Sequence, residues 1–151
     1  MPIQFYRERD EPYGCFSNFS KHSFEIDGMP WQTVEHYFQA MKFPGTPDEE
    51  AIRLSTSPMI AKQMSNDRAR PLRPDWEAVK DDVMRRAVRA KFQQHKDIQA
   101  VLLGTGQEEL IEAAPNDYYW GCGATGTGKN TLGKILMEVR ESLRAQKEDS
   151  V

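Results

Sequence analysis

Apolar positions change their spacing along this chain, and the change separates a short β-forming start from a longer helical remainder. Ile3-Gln4-Phe5-Tyr6 reads as a short strand, and Ser23-Phe24-Glu25-Ile26 followed by Asp27-Gly28 and Met29-Pro30-Trp31 predicts a hairpin around a turn-forming dipeptide. From Val34 the period lengthens. Val34, Tyr37, Phe38 and Met41 stand at i, i+3, i+4 and i+7, as one buried helical face requires, and the helix they predict stops before Pro44-Gly45. Ser57-Pro58 supplies an N-cap and first-turn pair for a helix through Met64, Pro71 and Pro74 bracket an irregular basic crossing, and Asp75 caps the next helix. In that long helix, which runs towards His95, Trp76, Val79, Val83, Ala87 and Ala90 share one face while Lys80, Arg85, Arg86 and Arg89 largely occupy others. Residues 98–103 and 108–113 predict two shorter helices separated by Gly104-Thr105-Gly106. A final helix follows from Leu132, Ile135, Leu136, Val139 and Leu143, with Arg140, Arg144 and Lys147 placing positive charge where the helix dipole favours it. The pattern predicts an α+β fold, a single compact helix-dominated domain over residues 1–147 with a small N-terminal β element and a frayed tail at 148–151.

Composition narrows the class. With 151 residues, 38% hydrophobic and 28% charged, the chain is neither a disordered polyelectrolyte nor a membrane protein. Lys and Arg total 20 against 23 for Asp and Glu, a formal net charge of −3, which excludes a protein held on nucleic acid by overall positive charge and leaves a local basic groove open. No run approaches the roughly 20 apolar residues that span a bilayer, and MPIQFYRERD lacks the apolar stretch of a secretory signal, so a cytoplasmic protein without membrane contact is expected. Cys15 and Cys122 form no CxxC pair and read as free thiols; His22, His36 and His95 do not fall at metal-ligand spacings. Neither a metal nor another cofactor is expected.

Two segments carry candidate chemistry. After Trp120 comes GCGATGTGKN, in which Gly121, Gly123 and Gly126 satisfy G-x-G-x-x-G, while residues 123–129 satisfy the glycine-rich part of a P-loop. Asn116-Asp117-Tyr118-Tyr119-Trp120 is polar and aromatic where a dinucleotide fold needs an apolar strand, and Asn130 stands where a P-loop needs its Mg²⁺-binding hydroxyl, with Thr131 one position late. Both nucleotide folds are therefore rejected. What survives is a loop whose backbone N–H groups, around Gly126 and Gly128, lead into a helix N-terminus beside Lys129 and Asn130; it is either a phosphate site or a flexible surface loop. In the first long helix, Glu35, Gln39 and Lys42 at i, i+4 and i+7 line one polar stripe, with Glu35 and Lys42 on the order of 10 Å apart along the axis. Periodicity alone leaves that stripe either a solvated face or a pocket rim.

The motifs EHYFQAMKF, STSPM, DRARPLRPDWEAVKDDVMRRAVRAKF and NDYYWGCGATGTGKNTLG occur in this order, and with them the chain resembles the YbiA/NADAR family over nearly its whole length. The resemblance implies N-glycosidic chemistry on ribosyl compounds: YbiA-like members are linked to hydrolysis of early riboflavin-pathway intermediates, and other NADAR members remove ADP-ribose from guanine bases. The compact form is more similar to the first group. Carried over motif by motif, the implied site residues are Glu35, Lys42, Trp76, Asp117 and Trp120, joined by Asn130 and the glycine loop, whereas Met41 and Cys122 are given no role.

Residue chemistry suits that implication. Cleaving an N-riboside develops oxocarbenium character at the anomeric carbon and requires protonation of the departing base, roles for carboxylates such as Glu35 and Asp117, without distinguishing which is the acid. Trp76 and Trp120 are candidates to stack on a base, core packing being the plainer role for Trp76. Lys42 offers a second route, capture of a ring-opened, imine-like anomeric carbon as a Schiff base, unless it merely pairs with a phosphate. Arg68, Arg70 and Arg73 are either surface charge or the partners of a terminal phosphate. The expected activity is a metal-independent N-glycosidase that splits a phosphoribosylamino-pyrimidine into free base and ribose 5-phosphate. The alternatives are an ADP-ribosyl hydrolase acting on guanine in nucleic acid, and a non-catalytic module that binds ADP-ribose or NAD.

Overall fold

The structure is a computed structural model that describes residues 1–149. In chain order its elements are β1 (Ile3–Phe5), a 3-10 helix (Tyr13–Phe16), β2 (Phe24–Ile26), β3 (Met29–Trp31), α1 (Val34–Ala40), α2 (Pro47–Arg53), α3 (Pro58–Ser65), α4 (Trp76–Gln94), α5 (Lys96–Gly104), β4 (Leu110–Glu112) and α6 (Thr131–Asp149). This is the expected α+β class. Contacts divide the chain into two compact units, one formed by Lys21–Lys91 and the other by residues 1–20 together with the chain from Phe92 onward.

Within Lys21–Lys91, β2 and β3 pair antiparallel with Phe24 opposite Trp31 and Ile26 opposite Met29, and Asp27 and Gly28 both turn through positive φ between them. The Trp31 and Tyr37 rings then meet edge to face at 5.0 Å, fixing the hairpin against α1. Thr33 caps α1 by accepting the His36 N–H, and the buried His36 ring is held between the Thr33 hydroxyl at 2.9 Å and the Ser55 carbonyl at 3.1 Å. Helix α2 was not among the expected elements. Its start is nonetheless capped: Thr46 accepts the Glu49 N–H, Pro47 occupies the first turn, and Glu49 accepts the Gly45 N–H at 3.0 Å. Helix α3 begins at the expected Ser57-Pro58 pair, with Ser57 accepting the Ile60 N–H. Asp75 precedes α4 as expected, but its carboxylate pairs with Arg73 instead of capping the helix. Along α4 the buried face holds Trp76, Met84, Ala87 and Val88, with Val79 and Val83 only half-buried at its edge.

In the other unit, β1 pairs parallel with β4, Ile3 opposite Leu110 and Phe5 opposite Glu112. A helix was expected over residues 108–113, and the β content was expected at the front of the chain; both expectations are corrected. A helix of so few residues has little stability of its own. Here the segment's backbone bonds to β1 instead, with flanking bonds from Ile3 N–H to Glu109 and from Ala113 N–H to Phe5, both 2.8 Å. Leu102, Leu110, Leu132, Ile135 and Leu136 form the centre of this unit's buried apolar set. The tail expected to fray from residue 148 is still helical at Glu148 and Asp149; Ser150 and Val151 lie outside the described residues. Cys15 and Cys122 form no disulfide among the described residues.

Candidate active site

Helix α1 has no solvated face: all of its residues from Val34 to Ala40 are buried. Glu35 is 7% exposed and Gln39 4%, so the polar stripe lies inside the protein, where a carboxylate and an amide are tolerated only when hydrogen-bonded. They are. Gln39 Nε2 donates to Glu35 Oε2 at 2.8 Å, and the hydroxyl of Ser65, at the end of α3, lies 2.5 Å from Gln39 Oε1. Lys42 falls just beyond α1, on a turn that continues the helical winding through Met41 N–H to Tyr37 and Lys42 N–H to Gln39. Its carbonyl accepts the Arg73 N–H at 3.0 Å, which ties the crossing before α4 to the backbone of Lys42.

The Lys42 ammonium makes no ion pair with any described residue. Its one hydrogen bond is a long one, 3.4 Å, to the Ser65 hydroxyl, and it sits 5.9 Å from each of the Phe38 and Trp76 ring centres, which are themselves 5.0 Å apart. Burial holds its pKa below the ordinary lysine value; the charge of Glu35 opposes that shift and Lys62 adds to it. Lys42 borders a cavity of about 460 Å³ whose wall also includes Ser65, Arg68, Arg70 and Trp76. That is room for a sugar phosphate or a nucleotide-sized ligand. A second cavity, of about 290 Å³, lies in the other unit between Gln93, Lys96, Gln99 and residues of α6, and carries no aromatic wall.

The three arginines separate. Arg70 pairs with Asp48, and Arg73 forks onto both oxygens of Asp75 at 2.6 and 3.0 Å and is absent from the cavity wall. Arg68 is exposed on that wall and forms no ion pair with any described residue. Trp76 is buried against Phe38, so it packs the core and lines the cavity at once.

Asp117, Trp120 and the glycine loop belong to the other unit. Asp117 Oδ1 accepts the N–H groups of Tyr119 and Trp120 at 3.0 and 2.8 Å, forming the turn that presents those rings, while Oδ2 engages no described residue. Lys129 is exposed, its Nζ 5.4 Å from the Tyr119 ring centre. The loop does not offer the donor cradle its glycines suggest. Gly126 N–H goes to Gly123, Gly128 N–H to Cys122, Lys129 N–H to Tyr118, Asn130 N–H to Gly121 and Thr131 N–H to Tyr119, so these backbone donors are already committed. Asn130, at positive φ, uses its side chain to bridge β4, accepting the Glu112 N–H and donating to the Leu110 carbonyl, both 2.9 Å. At Gly128 a Cβ would run into the Gly121 carbonyl, which explains one glycine by packing.

The sequence reading missed Ser65. The signal was there in part, since Ser57-Pro58 starts α3 and Ser65 follows Ala61 by one helical turn on its buried face, yet nothing in periodicity pairs α3 with α1. Among the described residues no cluster of three or more His, Cys, Asp or Glu side chains could hold a metal ion.

A family model for the NADAR domain matches residues 4–144. The chain belongs to the NADAR family. This NADAR chain is 51% identical over 145 residues to the N-glycosidase YbiA of Escherichia coli K12, covering 96% of the chain and 90% of that protein. An NMR structure of the E. coli protein YbiA superimposes with a TM-score of 0.89 over 96% of this chain and 86% of that one. The NADAR chain is also 50% identical over 147 residues to an N-glycosidase of Nostoc punctiforme, covering 95% and 94% of the two chains. With the chloroplastic riboflavin biosynthesis protein PYRR of Zea mays it shares 40% identity over 156 residues, 93% of this chain but 25% of that longer protein.

Proposed function

We propose that this chain hydrolyses the N-glycosidic bond of a phosphoribosylamino-pyrimidine of the riboflavin route, releasing ribose 5-phosphate and the free base. The reaction class rests on the relatives: the chain is an enzyme that acts on N-glycosyl compounds, like the N-glycosidases to which it is half identical over nearly its whole length. The riboflavin substrate is favoured by its likeness to PYRR of Zea mays. One observation carries the assignment of residues: Lys42 stands on a cavity wall with a lowered pKa, beside an aromatic ring and Arg68, and neither cation forms an ion pair with any described residue.

Opening of the ribosyl ring breaks the bond from C1 to the ring oxygen, which takes up a proton, and leaves an iminium between C1 and the base nitrogen. The neutral Lys42 amine adds to C1; the base nitrogen leaves with a proton, and C1 is then held as an imine on Nζ. Water adds to that imine, the bond from C1 to Nζ breaks, and ribose 5-phosphate closes to its ring form. The sum consumes one water per base released. Trp76 faces the cavity beside Lys42 and is assigned the ligand's planar portion, Arg68 its phosphate. Glu35 is the carboxylate joined to this wall by a chain of contacts, bonded to Gln39, which is in turn bonded to Ser65. No described helix is long and apolar enough to cross a membrane, and the same reading places the protein in the cytoplasm with a small phosphorylated molecule as its partner.

Mass spectrometry of the products formed from the freshly generated intermediate, with chelator present, tests the proposal. Ribose 5-phosphate appears with the native chain and is lost in Lys42→Ala and Glu35→Gln. Release of ADP-ribose from ADP-ribosyl-guanine, with none of ribose 5-phosphate, would replace the substrate while keeping the reaction class.

A further inference from the structure

We propose that Gln39 and Ser65 are positioning residues that aim the Lys42 amine, and that Glu35 acts on Lys42 through them. The inference rests on the reading of Lys42 as nucleophile. It starts from the direction of each hydrogen bond in the chain Glu35, Gln39, Ser65, Lys42. The Gln39 NH₂ donates to Glu35 Oε2, 2.8 Å away, which turns the amide oxygen towards Ser65. A serine hydroxyl has one proton. Two acceptors compete for it, Gln39 Oε1 at 2.5 Å and the Lys62 carbonyl at 3.0 Å, and the shorter contact, to an oxygen already polarised by Glu35, takes it.

With its proton so directed, Ser65 has only lone pairs left for Lys42. The amine must therefore donate an N–H to Ser65, at 3.4 Å. A Ser65 proton pointed the other way would occupy the nitrogen lone pair that has to attack C1. Held as a donor, neutral Lys42 keeps that lone pair for the cavity on whose wall both residues lie. Glu35, Gln39 and Ser65 are all buried, so water does not scramble the order of donors and acceptors.

Four variants, Ser65→Ala, Ser65→Thr, Gln39→Leu and the double Gln39→Leu, Ser65→Ala, and a trap test the arrangement. Ser65→Ala lowers kcat on the order of 10-fold to 100-fold with KM nearly unchanged, as expected when a reacting group loses its aim and no binding contact is removed. Borohydride added during turnover traps the sugar on Lys42 in both proteins, more slowly in Ser65→Ala by the same factor. Ser65→Thr, which keeps the hydroxyl, recovers most of the lost kcat. In the double variant Gln39→Leu, Ser65→Ala the loss is no larger than that of the worse single variant, since one chain of contacts has been cut twice. This cycle decides the matter where Ser65→Thr does not fold. Losses that multiply in the double variant, or an unchanged kcat and trapping rate in Ser65→Ala, overturn the positioning role. Absence of any adduct in the native protein overturns the nucleophile reading and the positioning role together, whereas a native adduct with an equally fast Ser65→Ala removes only the latter.

Discussion

The α1 stripe and the glycine loop exchange the roles that their sequences suggest. Glu35, Gln39 and Lys42 have the spacing of an ordinary solvated helix face, yet the helix is buried throughout and its polar groups lead to an amine without an ionic partner. The loop from Gly121 to Asn130 looks like a phosphate cradle, yet its N–H groups at Gly126, Gly128 and Asn130 are donated to the loop's own carbonyls, that of Lys129 to Tyr118, and its asparagine ties down β4. Residue type advertises a capacity for hydrogen bonding or charge. Whether that capacity remains available depends on what the fold has already joined to it, and here it remains on Lys42 and Arg68 and has been taken up in most of the loop.

The largest effect expected from this contrast is at Lys42. Lys42→Ala lowers kcat about 1000-fold or more, and Lys42→Arg, which keeps a cation near Trp76 but removes the nucleophile, is as inactive. Thermal unfolding of both stays close to that of the native chain, since Lys42 makes no ion pair with any described residue. The pH dependence has a definite sign. Attack needs the neutral amine, and burial lowers the Lys42 pKa from 10.5, so kcat rises with pH along a limb that lies below 10.5. Facing charges work in opposite directions: Glu35 resists the loss of the proton and Lys62 promotes it, so Lys62→Ala moves the limb towards alkaline pH. A limb at the unperturbed lysine value, with full activity in Lys42→Arg, would return α1 to a structural part.

Next in size is a stability effect on the other side of the comparison. Gly128→Ala pushes a methyl group into the Gly121 carbonyl and the Cys122 backbone, which no side-chain rotation relieves, and costs about 3 kcal/mol of folding stability. Calorimetry should show Tm falling by roughly 10 °C, while kcat per folded molecule is kept. The two regions then differ in kind, α1 variants losing turnover and loop variants losing stability.

Much of this was legible. The strand pattern at Ile3, the hairpin about Asp27-Gly28, the Ser57-Pro58 start of α3 and the long apolar face of α6 reappear where local signals placed them. Helix α2 carried a capping signature, Thr46 with Glu49, that a proline-glycine break nearby obscured. The segment Leu110–Glu112 failed for a different reason: a strand this short has no period to read, and its state is decided by β1, more than a hundred residues earlier. The site divides in the same way. Glu35 and Lys42 stand out through spacing and family likeness, but Ser65 is joined to them only by tertiary packing, and no local pattern distinguishes Arg68 from Arg70 and Arg73.

That last distinction sets the third prediction. Arg70 and Arg73 already have carboxylates, so they meet a phosphate as neutralised pairs, whereas Arg68 has no ion-pair partner among the described residues. Arg68→Ala raises KM for the phosphorylated substrate about tenfold, or 1.4 kcal/mol, and leaves that for the dephosphorylated one unchanged. Equal KM effects at all three arginines would show that ion pairing with Asp48 and Asp75 does not withhold them.

The smallest expected effect is the sharpest test of the loop. Gly126 has φ of 78°, gives its N–H to Gly123 at 3.3 Å, and has no atom within 4 Å of where a Cβ would stand. Gly126→Ala therefore meets no clash and bears only the left-handed conformation, about 1 kcal/mol, seen as a Tm lower by a few degrees. If the phosphate sits at Arg68, kcat and KM are unchanged by that methyl group. If the loop holds the phosphate through its exposed rim, the methyl group and a companion Lys129→Ala each raise KM for the phosphorylated substrate, with no matching change for the dephosphorylated one. A stability loss without a KM change leaves the loop as the clasp between β4 and α6, because Asn130 and the bonded N–H groups around it are sufficient reason for the glycines to be there.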